Sequence, residues 1–197
     1  MASIYGIRLK NLKTFTGMEG TGFSASLYLD RKQVGTLSDP ATGGSIEYVW
    51  SNYEDKDAFD RRADLYWKKY HLYDTVEIFK MGREKAWEAF KNDTLPVQND
   101  RFGIMPFEDS FINELIGLIQ DERVYKRKSR LGCQKLIRLT RFMLHDDEGL
   151  YDKQIGKDLY YYNQPLKSVL KKADSLMVPY KYRYYQRLSD FDIKMEN

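Results

Sequence analysis

The residue types that carry acid–base, metal or nucleophilic chemistry are scarce in this sequence. It holds one cysteine, Cys133, and two histidines, His71 and His145. A single thiol builds neither an internal disulfide framework nor a cysteine-rich zinc site, and two imidazoles do not make a histidine-rich one. His145, Asp146, Asp147 and Glu148 are consecutive, and carboxylates suit Mg²⁺ in a nuclease. One strand cannot aim four adjacent groups inward, however, and an Asp-Glu-Gly run closing at Gly149 is ordinary turn chemistry. Cys133 with a distant histidine would make a nucleophile pair, but its apolar surroundings read as those of a packed core thiol. Gly17, Gly20 and Gly22 lack the order of a dinucleotide fingerprint, and no P-loop lysine follows them. No G-x-S-x-G or H-E-x-x-H motif occurs. The expectation is a protein that is not an enzyme, with no cofactor and no bound metal.

Groups for binding are plentiful. Residues 1–121 carry 15 Lys and Arg against 19 Asp and Glu, whereas residues 122–197 carry 17 against 10. Most of the excess lies in one stretch, where Arg123, Lys126, Arg127, Lys128, Arg130, Lys135, Arg138 and Arg141 meet no acid. Tyrosines crowd the tail: Tyr160, Tyr161 and Tyr162, then Tyr180, Tyr182, Tyr184 and Tyr185 interleaved with Lys181, Arg183 and Arg187. Cations neutralise phosphates and aromatic rings stack on bases. The same residue types anchor protein interfaces, and a solvated basic face beside a Tyr-rich core edge is the plain alternative. The positive balance argues against a DNA mimic, which needs a dense carboxylate surface.

These groups need a scaffold, and the chain is large enough to build one. With 197 residues, 42% of them apolar, it suits one ordinary domain or two small ones. That apolar share excludes a disordered chain. No apolar run approaches the roughly 20 residues of a membrane span. The opening, Met1 to Arg8, has no apolar core of a secretory signal. A soluble protein of the cytoplasm, with no membrane partner, is expected.

Residues 1–52 read as antiparallel strands: 4–12, 23–29, 33–37 and 45–50. The breaks fall at Gly17–Gly22, at Asp30-Arg31-Lys32, and in the Ser38–Gly44 loop. Ser51 and Glu54 have capping-box spacing at the start of a helix, along which Phe59, Leu65, Tyr66, Tyr70 and Tyr73 keep approximate phase. A second helix spans 83–91, with Ala86, Trp87 and Phe90 on one face. Residues 92–106 read as loop. Phe107, Phe111, Leu115, Leu118 and Ile119 then form a helical stripe, whose helix ends in the basic cluster and so places cations at the negative end of its dipole. Gly132 separates that helix from the next element, since glycine inside a helix costs about 1 kcal/mol. The segment 134–144 reads as helix or strand, with strand preferred. Residues 158–162 form another strand. Asn163 would cap a last helix with Pro165 in its first turn and a buried stripe of Leu166, Val169, Leu170, Ala173, Leu176 and Met177.

The N-terminal strands carry a resemblance. Leu9 to Phe23, Leu27 to Gly35, and Gly43-Gly44 followed by a strand ending at Trp50 resemble the opening of small uncharacterised proteins of bacteriophages and mobile elements. The similarity covers about residues 4–52 and returns weakly at 109–115, 135–139 and 162–167, while 53–106 looks like an insertion. It implies a setting, a phage or mobile-element accessory gene, rather than a chemistry. Genes of that kind include inhibitors of host defence such as anti-CRISPR proteins.

The expected architecture is α+β. An N-terminal antiparallel meander (1–52) leads into a helical insertion and loop (53–106), then a helix, strands and a C-terminal helix with a basic, Tyr-rich surface (107–197). The expected function is non-catalytic binding that inhibits a host nucleic-acid-targeting complex, with a host protein or ribonucleoprotein as partner and a homodimer as an option. The alternative is direct binding of RNA or single-stranded DNA, and behind it a metal-dependent nuclease. The binding residues expected are Arg123, Lys126, Arg127, Lys128, Arg130, Arg138, Arg141, Tyr160, Tyr161, Tyr182 and Arg183.

Overall fold

The structure, a computed structural model, describes residues 1–70, 75–97, 107–142 and 158–195. In chain order these form β1 (Ser3–Ile4), β2 (Ile7–Gly17), β3 (Gly20–Leu29), β4 (Lys32–Asp39), β5 (Glu47–Trp50), α1 (Tyr53–Tyr70), α2 (Thr75–Met81), α3 (Arg83–Lys91), α4 (Phe107–Ser129), β6 (Leu136–Arg141), β7 (Leu159–Tyr162), α5 (Leu166–Asp174), β8 (Tyr180–Tyr185), a 3-10 turn at Leu188–Phe191 and β9 (Asp192–Ile193). The fold is α+β, with an N-terminal antiparallel meander, a helical middle and a mixed C-terminal part. The chain divides into two compact units of interleaved segments. The first comprises Met1–His71, Asp100–Glu122 and Leu188–Asn197; the second comprises Leu72–Asn99 and Arg123–Arg187.

The first unit is a six-stranded sheet in the order β5-β4-β3-β2-β1-β9. Two-residue turns at Met18-Glu19 and Asp30-Arg31 set its register, pairing Gly17 with Gly20 and Leu29 with Lys32. Gly20 and Gly22 therefore belong to β3 rather than to the turn. The first strand is also broken: Tyr5 (φ 51°) and Gly6 (φ 77°) turn the chain so that Ile4 pairs Ile7. Period-2 alternation does the rest. Leu9, Ala25, Leu27 and Leu37 are buried, while Ser24, Ser26, Thr36 and Glu47 line an open polar groove on the other face. On the buried side the ring of Phe59 in α1 meets Trp50 at 5.3 Å and Phe111 in α4 at 5.6 Å; Tyr66 meets Phe111 at 5.5 Å and Tyr5 at 5.7 Å.

The buried stripe of α1 is Asp55, Phe59, Ala63 and Tyr66. Leu65 (50% exposed) and Tyr70 (44%) lie off it, and Tyr73 falls outside the described residues. The cap is Asn52, not Ser51: its Oδ1 accepts from the Asp55 amide at 2.8 Å. Both are competent cap types, and the helix begins one residue later than Ser51 requires.

The second unit packs α3 and α5 on a three-stranded sheet in the order β7-β6-β8. Segment 134–144 is thus a strand over Leu136–Arg141, and β8 accounts for the alternating tyrosines at the sheet's far edge. One cluster joins Trp87 and Phe90 from α3, Leu170 and Ala173 from α5, and Leu139, Leu159, Tyr161 and Tyr180 from the sheet. A second joins Ile78, Ala86, Ala89, Leu95, Phe142 and Val178. Helix α5 stops at Asp174, so Leu176 (40% exposed) and Met177 (48%) lie beyond it and outside the core. Among the described residues no helix is long and apolar enough to cross a membrane.

Candidate nucleic-acid interface

The last turns of α4 place the basic residues, and helix geometry sorts them. Leu118, Asp121, Glu122 and Tyr125 are buried, an i, i+3, i+4, i+7 set that defines the inner face. Arg123, Lys126, Arg127 and Arg130 repeat that spacing on the opposite side, and all four are exposed. At about 1.5 Å rise per residue the stripe is about 10 Å long. Lys128 falls off it, half-buried, with its ammonium 4.9 Å from the centre of the Tyr162 ring.

The helix ends in a defined way. The Cys133 amide donates to the Lys128 carbonyl at 3.1 Å and the Gly132 amide to the Ser129 carbonyl at 3.1 Å. This is the paired bonding of a Schellman motif, in which the residue after the cap takes a left-handed conformation; Gly132 does so, at φ 84°. The buried Cys133 supplies the apolar side chain that follows the cap, and its thiol donates to the Lys135 carbonyl at 3.1 Å.

Asn163 secures the loop that follows. It does not cap α5, whose N-cap position is held by Pro165 with no side-chain cap bond. Its Oδ1 instead accepts from the amides of Gln134 (2.8 Å) and Lys135 (3.1 Å), its Nδ2 donates to the Gly132 carbonyl (3.2 Å), and its own amide donates to the Lys135 carbonyl (2.9 Å). An αL backbone, φ 55° at Asn163, permits this geometry, and asparagine tolerates it better than most residues.

Strand register divides the remaining expected residues between the two faces of the sheet. Residues paired across strands share a face, so Arg138 stands in one row with Tyr160 and Arg183. The next row on that face pairs Leu136 with Tyr162 and Tyr185. The other face carries Tyr161 with Ile137, Tyr182 with Leu139, and Tyr180 with Arg141. Tyr161 packs into the core with α3 and α5, whereas Tyr182 is 45% exposed. Arg138 is bonded to Asp158 at 2.5 Å, and Thr140 donates to the other oxygen of that carboxylate. Tyr180 donates to Asp174 at 2.7 Å, and burial together with that carboxylate pushes its phenol well above the ordinary range.

The expected residues therefore fall into three groups. Arg123, Lys126, Arg127 and Arg130 form one exposed stripe, with Lys128 beside it on Tyr162. Arg138, Tyr160 and Arg183 form a row on one sheet face. Arg141, Tyr161 and Tyr182 lie on the other. The expected binding residues left out Lys135 and Tyr162, although both stand in the basic and Tyr-rich stretches, as well as Leu131 and Asn163; all four lie at the end of the stripe. A glycine stop directly after a cationic helix was the available signal for the loop; nothing local tied Asn163 to it. The segment His145–Glu148 lies outside the described residues, and among the described residues no group of three His, Cys, Asp or Glu is placed to hold a metal ion. The chain matches no protein-family model, no curated protein and no solved structure.

Proposed function

We propose that the protein acts by non-catalytic binding to a nucleic acid, through the basic surface of its second unit. The observation that carries this reading is the exposed stripe of Arg123, Lys126 and Arg127 on α4, continued by Arg130 in its closing turn. Cations aligned on one rigid face follow a line of phosphates, and releasing the condensed counterions drives such binding. For the setting we propose a phage or mobile-element gene, which is what the resemblance expected for residues 4–52 implies. In that setting the target is the RNA or DNA of a host defence complex in the cytoplasm, and the outcome is inhibition of the anti-CRISPR kind.

Fluorescence anisotropy with random single-stranded RNA, single-stranded DNA and duplex DNA tests the reading. Four phosphate contacts to a single strand give a log–log salt slope near −2.8, so affinity falls about 50-fold between roughly 50 and 200 mM salt. Arg127→Glu with Arg130→Glu removes most of the binding. No binding of any of the three at the lower salt overturns the reading and leaves the stripe as a protein-docking face.

A further inference from the structure

We infer that the loop closing α4 and the end of β7 form a stacking platform that selects single strands over duplexes. The inference rests on the proposed nucleic-acid reading and specifies the class of ligand. Two apolar groups stand out beside the cationic stripe. Leu131 is 77% exposed and Tyr162 is 36% exposed. Leu131 sits one residue from Arg130 in the cap of α4, where the helix-ending contact is supplied by Cys133, so terminating the helix does not explain an exposed leucine there. Tyr162 ends β7, an edge strand among the described residues, where no further strand pairs with it.

The two are held near each other. Asn163, next to Tyr162, bonds Gly132, next to Leu131, as well as Gln134 and Lys135. The apolar surfaces and the cations Arg127, Arg130 and Lys135 therefore belong to one braced structure, ordered before any ligand arrives, which lowers the entropic cost of binding. Lys128 over the Tyr162 ring fits the same chemistry. Its flexible ammonium exchanges the ring for a phosphate when a base takes its place on the ring.

The choice of single strand follows from what each ligand offers. A duplex presents phosphates to such a surface while its bases remain stacked inside, and it makes no use of an exposed tyrosine or leucine. A single strand offers phosphates and free base faces together, and aromatic groups set among cations are the usual way of holding one.

The test uses the full chain with a uridine 12-mer and a mixed-sequence 12-base-pair duplex, titrated at several salt concentrations between about 50 and 200 mM. Tyr162→Ala is expected to weaken the 12-mer about 10-fold, leave the duplex unchanged and leave the salt slope unchanged, because no charge is lost. Tyr162→Phe should retain wild-type binding. Leu131→Ser, at a side chain 77% exposed, should weaken the 12-mer several-fold. Equal wild-type affinity for the two ligands, with Tyr162→Ala and Leu131→Ser both neutral, overturns this inference while the nucleic-acid reading stands. Absence of binding to either ligand overturns both.

Discussion

The two units share a plan, a sheet packed by helices, and differ in what they do with charge. The first carries 12 Lys and Arg against 18 Asp and Glu, a net of −6, and the second 20 against 11, a net of +9. In the first unit the buried acids are structural ties. Asp109 accepts from the Ile46 amide and the Tyr48 hydroxyl, Asp55 from Lys32, and Glu122 from the Ala2 amide. In the second unit Asp158 and Asp174 are likewise engaged, by Arg138 and Tyr180, and Arg123, Lys126, Arg127 and Arg130 are exposed to solvent. Carboxylates turned inward strengthen a fold; cations turned outward create a field that reaches a partner. On the proposed reading, the first unit is scaffold and the second carries recognition.

The contrast can be broken at several points. The largest effect belongs to the scaffold: Phe59→Ala removes a fully buried ring at the centre of the aromatic cluster and costs about 4 kcal/mol, measured by urea unfolding. Asn163→Ala deletes the side-chain bonds that brace the basic loop and costs on the order of 2 kcal/mol; it should weaken nucleic-acid binding although no charge changes. Gly132→Ala meets open space but forces a left-handed alanine, at about 1 kcal/mol. Arg127→Ala with Arg130→Ala should change stability by less than about 0.5 kcal/mol yet flatten the salt slope by about 1.4. The smallest effect is at Asp30, whose carboxyl is held below the ordinary range by its bond to Arg62. That pair stabilises above the unfolded carboxylate value of about 4 and is lost as pH falls through the lower folded value. The unfolding midpoints of wild type and Asp30→Asn should therefore converge in acid.

What the sequence made legible follows from how local each signal is. Alternation in β3, Phe23 to Leu29, and the stripe Phe111, Leu115, Leu118 and Ile119 in α4 are repeats within one element; the buried faces follow the pattern except at Leu29, which is half-buried. Tyr180, Tyr182 and Tyr184 also alternate, but Tyr180 is buried and Tyr182 exposed on the same face, so their period was masked by uniform residue type. Asn163 shows the harder case. An asparagine two residues before a helical proline has cap chemistry, and only the pairing of β7 with β6 places its amide against Gln134 and Lys135 instead. The i, i+3, i+4, i+7 spacing of the α4 cations was present in the sequence. The break at Gly132, read from the sequence as the end of that helix, separates them from Arg138 and Arg141 on β6, as the structure shows.

The central claim is that recognition lies in the second unit. Ultraviolet cross-linking of the full chain to a uridine-rich single strand, at about 50 mM salt where phosphate contacts are strong, followed by peptide mass mapping, addresses it directly. The account predicts adducts within residues 123–136 and at Tyr162. Adducts confined to the first unit, or none at all, would contradict it.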